Sequence, residues 1–361
     1  MGIASITINN LTVFDKLDIN FVKGINVFVG DNGTGKTHLL KFMYAFCETI
    51  NAMNINADNE QLIYKDMMEK YLKYFKIHMT FKLADCFPLK HGSDLMRCKD
   101  KSSGITVNLH NHMEFVPFYE IDHSSEMFRA ESTIVESKAG AANLVQSVFI
   151  PAKEMLTHVG LEGDYKDRRL PFDITLIDII EKSKLSELRS LPTVMEDVNI
   201  KIKNIIGGKT TYDKTAFFIK RGETSRSFQV EAEGYKKFAL LGRLIETGKI
   251  TKDSIIFWDE PEANINPRNI PKLVDIMFDL QKIGVQIFLA THDYLITKYI
   301  ESRMDKELNN VLFHSLYREE PDNTESPVLV ESGTEFSSLE HNDIVLQPIL
   351  LYKEILEKGM D

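Results

Sequence analysis

The chain has 361 residues, 43% of them hydrophobic, and a formal net charge of -10. That length exceeds what one core usually fills, so one large domain with an added lobe is expected. The negative balance excludes a surface that is a nucleic-acid footprint throughout and leaves room only for a local basic groove. Cys47, Cys86 and Cys98 form no C-x-x-C pair, which fits a reducing cytosol. Residues 1–20 lack the basic start and apolar block of a signal peptide, and no apolar run approaches membrane-spanning length.

Residues 3–8 and 25–29 read as strands with an acidic, polar turn between them. The second leads into Gly30, Asp31, Asn32, Gly33, Thr34, Gly35, Lys36 and Thr37, a match to G-x-x-x-x-G-K-[ST]. From His38 to Thr49, Leu39, Leu40, Phe42, Met43 and Phe46 recur at helical spacing. Strand, glycine turn and helix are the context a phosphate-binding P-loop requires. The glycines let backbone N–H groups curl around phosphate oxygens, and the helix N-terminus adds positive potential. Lys36 is expected to reach the β- and γ-phosphates of ATP and Thr37 to ligate Mg²⁺. His38, at the helix start, is grouped with the nucleotide-binding residues.

Residues 60–77 read as a helix whose lysines form a solvated face. Residues 77–121 alternate apolar and polar around turns, which predicts a small antiparallel sheet. His110 and His112 share a strand face there, but no third metal ligand is obvious. Another apolar strand covers 144–150, a helical section 173–206, and a strand pair 215–220 and 226–231.

At Ser254 to Glu260 a buried strand ends in two carboxylates, the Walker B pattern. Asp259 is placed to hold Mg²⁺, and Glu260 to orient and deprotonate the attacking water. Pro261 to Pro267, which includes Asn264, resembles a D-loop. Thr291-His292-Asp293 after the strand 285–290 resembles an H-loop. Glu231 to Lys237 lies where an ABC signature belongs.

Together, Phe149 to Leu156, Ala232 to Lys237, Phe257 to Pro267, Ala290 to Tyr294 and the ending from Leu339 resemble the single-domain ABC-type ATPases of bacterial antiphage defence. These are the branch similar to overcoming-lysogenization-defect and Septu-type ATPases. The resemblance implies an α/β P-loop NTPase of ABC type with an antiparallel β subdomain and an inserted helical lobe. Residues 1–50 and 207–361 would form the nucleotide-binding core, and about 51–206 the inserted lobe. It implies that His292 contacts the γ-phosphate and acts with Glu260 and Lys36 in catalysis. Gly234, Lys236, Lys237 and Asn264 would meet a nucleotide held by a second copy.

The chain departs from the family at the signature. Aligned on Gly234, the serine position is Ala232 and the first glycine is Glu233; Lys236 and Lys237 would then supply positive charge across the interface. Gln146 and Glu154 are the two candidates for the Q-loop position.

The implied function is a cytoplasmic, Mg²⁺-dependent ATPase whose copies close on ATP as a dimer or higher homo-oligomer and regulate a separate effector, such as a nuclease. A nucleic-acid contact remains open and a membrane partner is not expected. The alternatives are a DNA repair or recombination ATPase, RecF-like or like the head of a structural-maintenance protein, and a slow nucleotide-gated scaffold. A transporter subunit is disfavoured by the divergent signature.

Overall fold

The computed structural model describes residues 2–57, 75, 78–89, 92–110, 119–121, 146–168, 170–305, 307–308 and 310–358. Among these, a central sheet of six strands runs in the order β13-β12-β3-β11-β10-β6. Its members are β3 (Ile25–Gly30), β6 (Ser147–Ile150), β10 (Ile255–Asp259), β11 (Gln286–Ala290), β12 (Val311–Tyr317) and β13 (Leu329–Gly333). All pair in parallel except β13, which joins β12 antiparallel.

The inner strands are continuous apolar runs because both faces of the sheet are covered. Successive side chains go to opposite faces, so the strands feed two cores. Phe28, Phe257 and Phe288 face one core with Leu39, Phe42 and Met43 of helix α1 (Lys36–Ala57). Val27, Val29, Ile256, Trp258 and Leu289 face the other. That second core is completed by α4 (Ile174–Lys184), α5 (Thr193–Ile206), α6 (Glu233–Glu246), α7 (Ile270–Lys282) and α8 (Tyr294–Arg303). Each such buried side chain contributes about 1.5–3 kcal/mol.

A second sheet of four strands has the order β2-β1-β4-β5, all antiparallel. It contains β1 (Ile3–Leu11), β2 (Phe14–Asn20), β4 (Ser103–Leu109) and β5 (Tyr119–Ile121). The stretch between the first two expected strands is therefore not a turn. Phe14, Leu17 and Ile19 are buried, and the exposed Asp15, Lys16, Asp18 and Asn20 gave the segment its polar look.

The sheet expected within 77–121 is corrected in the same way. Residues 78–86 are helical (α2), and β4 pairs with β1 rather than only with neighbours in sequence. Most of the helix expected over 60–77 lies outside the described residues, as does His112. Residues 147–150, inside the range expected for an inserted lobe, form the edge strand β6 of the central sheet.

In the 173–206 section, Asp173 caps α4 by accepting from the Thr175 amide, and Gly207 closes α5 at φ 68° with its amide on Lys203 O. Three short strands follow, β7 (Lys209–Tyr212), β8 (Phe217–Arg221) and β9 (Thr224–Ser227). The strand expected over 226–231 stops at Ser227, whose hydroxyl accepts from Gln229 N and turns the chain into a short 3-10 segment.

Candidate functional site

Parallel pairing puts the C-terminal ends of β3, β10, β11 and β6 on one edge, where ligand sites of such sheets form. The P-loop leaves β3 there. Gly33 and Gly35 stand at φ 79° and 86°, a region that residues with a Cβ rarely adopt. A Cβ on Gly35 would also lie 2.6 Å from the Phe14 ring, so the loop can wrap only because that carbon is missing. The Thr34 hydroxyl donates to Asp31 O at 2.8 Å, and Arg318 Nη2 donates to Gly33 O at 2.9 Å. Asp31, Asn32 and Gly33 form the exposed rim of the loop.

Lys36 Nζ curls back over the loop and donates to Gly30 O at 2.6 Å and Asp31 O at 2.8 Å. Burial lowers its amine, while Asp259, Asp31, Glu260 and Glu262 act in the opposite direction. His38 lies two residues further into α1, its ring edge-on to Phe87 at 5.3 Å. Burial, aided by the charge of Lys41, brings its imidazole down to about 4, so the ring is neutral at neutral pH.

Across from the P-loop, the Thr37 hydroxyl lies 3.0 and 3.1 Å from the two Asp259 carboxylate oxygens. A hydroxyl beside a carboxylate at the foot of a phosphate-binding loop is a hard oxygen donor set of the kind Mg²⁺ takes. Burial pushes the Asp259 carboxyl up, and Glu260 beside it adds to that. A cation would reverse both effects.

Glu260 is the first residue past β10 and stands at φ 46°. Its amide donates to Ala290 O at 2.9 Å, and its carboxylate Oε1 is 3.3 Å from His292 Nδ1. The pair is open to solvent, with the His292 side chain 53% exposed and that of Glu260 37%. Behind it, the Thr291 hydroxyl donates to the buried Glu262 at 2.6 Å, and Asp293 caps α8 through the Ile296 amide. The Walker B strand, the D-loop and the H-loop are thus tied into one unit.

The signature segment reaches the same edge. Glu231 pairs with Arg221 at 2.6 Å, and that guanidinium lies over the Tyr235 ring. Ala232 is the N-cap of α6 and offers no side-chain cap. Gly234 packs against the D-loop of its own chain, since a Cβ there would stand 3.2 Å from Asn264 O. Asn264 itself is at φ 62°, a conformation asparagine tolerates.

Lys236 and Lys237 were expected to direct charge across an interface, and here the structure corrects the expectation. Both are buried, at 4% and 6% exposure. Lys236 Nζ is held by Glu233 at 2.6 Å, and Lys237 Nζ donates to Glu260 O at 2.7 Å within the same chain. Position 237 lies on the face of α6 that also buries Leu241 and Leu244, so its stem runs inward.

Of the two Q-loop candidates, Gln146 precedes β6 at the opposite end of the sheet, where it accepts from Thr251 Oγ1 at 2.8 Å. Glu154 lies beyond the correct end of that strand, but its carboxylate is engaged by the Leu156 and Thr157 amides and the Thr157 hydroxyl. His341 stacks on Tyr317 at 3.7 Å, and buried Asn342 donates to Phe336 O; both are structural. Among the described residues no group of three or more His, Cys, Asp or Glu is arranged to hold a metal, and no helix is long and apolar enough to cross a membrane.

Arg318 and the cis contact of Lys237 escaped sequence reasoning. Arg318 simply follows an apolar strand, and nothing in that pattern says that the strand ends beside the P-loop.

Comparison with known proteins fits this geometry. The family described as "AAA domain, putative AbiEii toxin, Type IV TA system" matches residues 105–297, and a second, described as "AAA domain", matches residues 5–85. The "DNA replication and repair protein RecF" of Clostridium kluyveri is 34% identical over 108 residues, 30% of this chain and 27% of that protein. Its counterpart in Lachnospira eligens is 28% identical over 109 residues, again 30% and 27%. The chain thus spans about a quarter of the length of these relatives.

Among solved structures, an SmcHead bound to the C-winged helix domain of ScpA superposes with a TM-score of 0.52 at 12% identity, covering 92% of this chain and 98% of that one. An Smc head domain with an extended coiled coil, bound to the C-terminal domain of ScpA derived from Pyrococcus furiosus, gives 0.51 at 11%, covering 98% and 99%. The likeness is one of fold: an α/β P-loop NTPase of the SMC-head type. Because the first family matches more than half of its length, the chain belongs to the AAA-domain family described as "AAA domain, putative AbiEii toxin, Type IV TA system".

Proposed function

We propose that the chain is a Mg²⁺-dependent ATPase that works as a switch, closing in pairs on ATP and resetting when it is hydrolysed. The observation that carries this reading is the meeting of Thr37 with Asp259 on the same sheet edge as the Glu260–His292 pair. In this reading the P-loop amides and Lys36 hold the phosphates, and Thr37 and Asp259 hold the ion. Mg²⁺, when bound, neutralises charge on the phosphate oxygens. Glu260 takes the proton of the attacking water, and His292 keeps that carboxylate oriented and reaches toward the γ-phosphate. The openness of the Glu260–His292 pair suits a site that a second copy completes with its signature segment, Gly234 and Asn264. Residues 1–50 and 207–361, together with the edge strand β6, act as the nucleotide-binding core in this scheme, and the rest of about 51–206 as a lobe for communication.

The output is proposed to be a separate cytoplasmic effector, a nuclease or toxin, as in the antiphage ATPases the motifs resemble. The RecF likeness favours a second reading, a DNA repair or recombination ATPase that contacts nucleic acid itself. Purified chain incubated with ATP, with and without Mg²⁺, tests the ATPase, and absence of phosphate release in both would overturn it. The two outputs separate on DNA. Stimulation of the ATPase by DNA points to repair. Indifference to DNA, with no cleavage of DNA or RNA by the chain alone, points to a separate effector.

A further inference from the structure

We propose that Lys237 is a positioning residue for Glu260, so that the seating of helix α6 determines where the catalytic carboxylate stands. This rests on the ATPase reading above but assigns Lys237 a role within its own subunit.

Glu260 occupies the left-handed region at φ 46°, which costs an L-residue on the order of 1–2 kcal/mol. Something must hold it there. Its amide is bonded to Ala290 O, and its carbonyl accepts from Ala263 N at 3.1 Å within the turn. The first ties the residue to the end of β11, and the second is local to the turn. The further bond to that carbonyl comes from the Lys237 ammonium at 2.7 Å, contributed by an element 23 residues earlier.

A lysine is a costly choice for a buried position unless its charge is used, since its stem alone could be replaced by methionine. Here the head group is surrounded by Glu262, Glu260, Asp259 and Glu233, whose charges favour the ammonium. Burial outweighs them and brings the amine down to about 8.

The contact does not stand by itself. One turn before Lys237, Gly234 lies so close to the D-loop that a Cβ would be 3.2 Å from Asn264 O and 3.5 Å from Ile265 Cα. The first turns of α6 therefore clamp the 260–264 turn at both ends, and both end residues have positive φ, 46° and 62°. A shift of α6 would reach the Glu260 backbone through Lys237. A misplacement of about 1 Å at a reacting group costs on the order of 10²-fold in rate.

The test uses full-length Lys237→Met and Lys237→Arg proteins with three measurements: ATP affinity by titration, kcat against KM, and the His292 ring signals in histidine-selective NMR of the nucleotide-free protein. Expected for Lys237→Met are ATP affinity within about threefold of wild type, kcat lowered roughly 10–100-fold, and displaced His292 signals. Lys237→Arg should recover part of both. Added to Glu260→Gln, Lys237→Met should lower the rate no further, because the two act through one group. Unmoved His292 signals in Lys237→Met, or a loss that falls on ATP affinity rather than kcat, would overturn the proposal. If Lys237→Met does not fold, Lys237→Gln, which is too short and uncharged to replace the ammonium, takes its place: displaced His292 signals support the proposal and unmoved ones overturn it. If wild type proves not to hydrolyse ATP, the ATPase reading fails, and the NMR arm still judges the contact.

Discussion

The Thr37 hydroxyl and the Asp259 carboxylate, 222 positions apart in the chain, meet at 3.0 Å. One belongs to the helix after the P-loop and the other to the end of β10, and only the parallel sheet brings them together. If this pair holds Mg²⁺, Asp259→Asn should remove the Mg²⁺ dependence of ATP binding while leaving Mg²⁺-free binding nearly unchanged. Titrating ATP with Mg²⁺ and then with EDTA measures both. An unaltered response to Mg²⁺ in the variant would exclude Asp259 from the metal site.

Lys36 tests the other half of the site. Its ammonium sits at the mouth of the loop, on Gly30 O and Asp31 O, within reach of a bound phosphate chain. Lys36→Ala removes charge-assisted contacts each worth about 1.5–3 kcal/mol, so ATP affinity should fall at least roughly tenfold. Equal affinities for variant and wild type in calorimetric titration would contradict the P-loop assignment.

Acid stability follows from two imidazoles, His314 fully buried and His38 partly so. Burial brings His314 down to about 3, and His38 down to about 4 with help from Lys41. In the unfolded chain each takes up a proton near the ordinary histidine value of about 6.5. Between the two values the unfolded state binds more protons, so stability falls as pH drops from about 6.5 toward 4. Each histidine contributes a slope of up to about 1.4 kcal/mol per pH unit. His314→Phe should flatten the slope by about that amount in urea melts at pH 6.5 and 4.5. Asp259 and Glu262, whose carboxyls burial raises, act in the opposite sense, but they are common to both proteins. An identical slope in the variant would show that His314 titrates normally.

Much of this was legible in the residues, and what was not has a physical cause. The P-loop and the Walker B strand are local patterns: glycines at fixed spacing, and a buried strand ending in carboxylates. Register and partner choice are not local. Phe14–Asn20 looked like a polar turn because only Phe14, Leu17 and Ile19 face the core and the four residues between and after them are polar and exposed. Gln146 and Glu154 were equivalent in sequence, and only the direction of β6 separates them. Lys237 looked like surface charge because a lysine gives no sign of which way its helix face points. Its bond to Glu260 O depends on how α6 packs against the D-loop.

Glu260 is where the proposed mechanism is most exposed to test. Its carboxylate is one residue past Asp259 and 3.3 Å from His292 Nδ1. Glu260→Gln keeps size and shape and removes the basic oxygen. Hydrolysis should slow by roughly 10²–10⁴-fold if general-base catalysis dominates, with ATP binding retained because Lys36, Thr37 and Asp259 are untouched. If ATP joins two copies, nucleotide that is not cleaved should hold them together. The variant should then run in light scattering as a larger species with Mg²⁺ and ATP than with ADP. Wild type should revert as its ATP is consumed. Normal hydrolysis by the variant would remove Glu260 from catalysis. A mass indifferent to ATP would leave an ATPase that works as a single copy and would end the paired-switch reading.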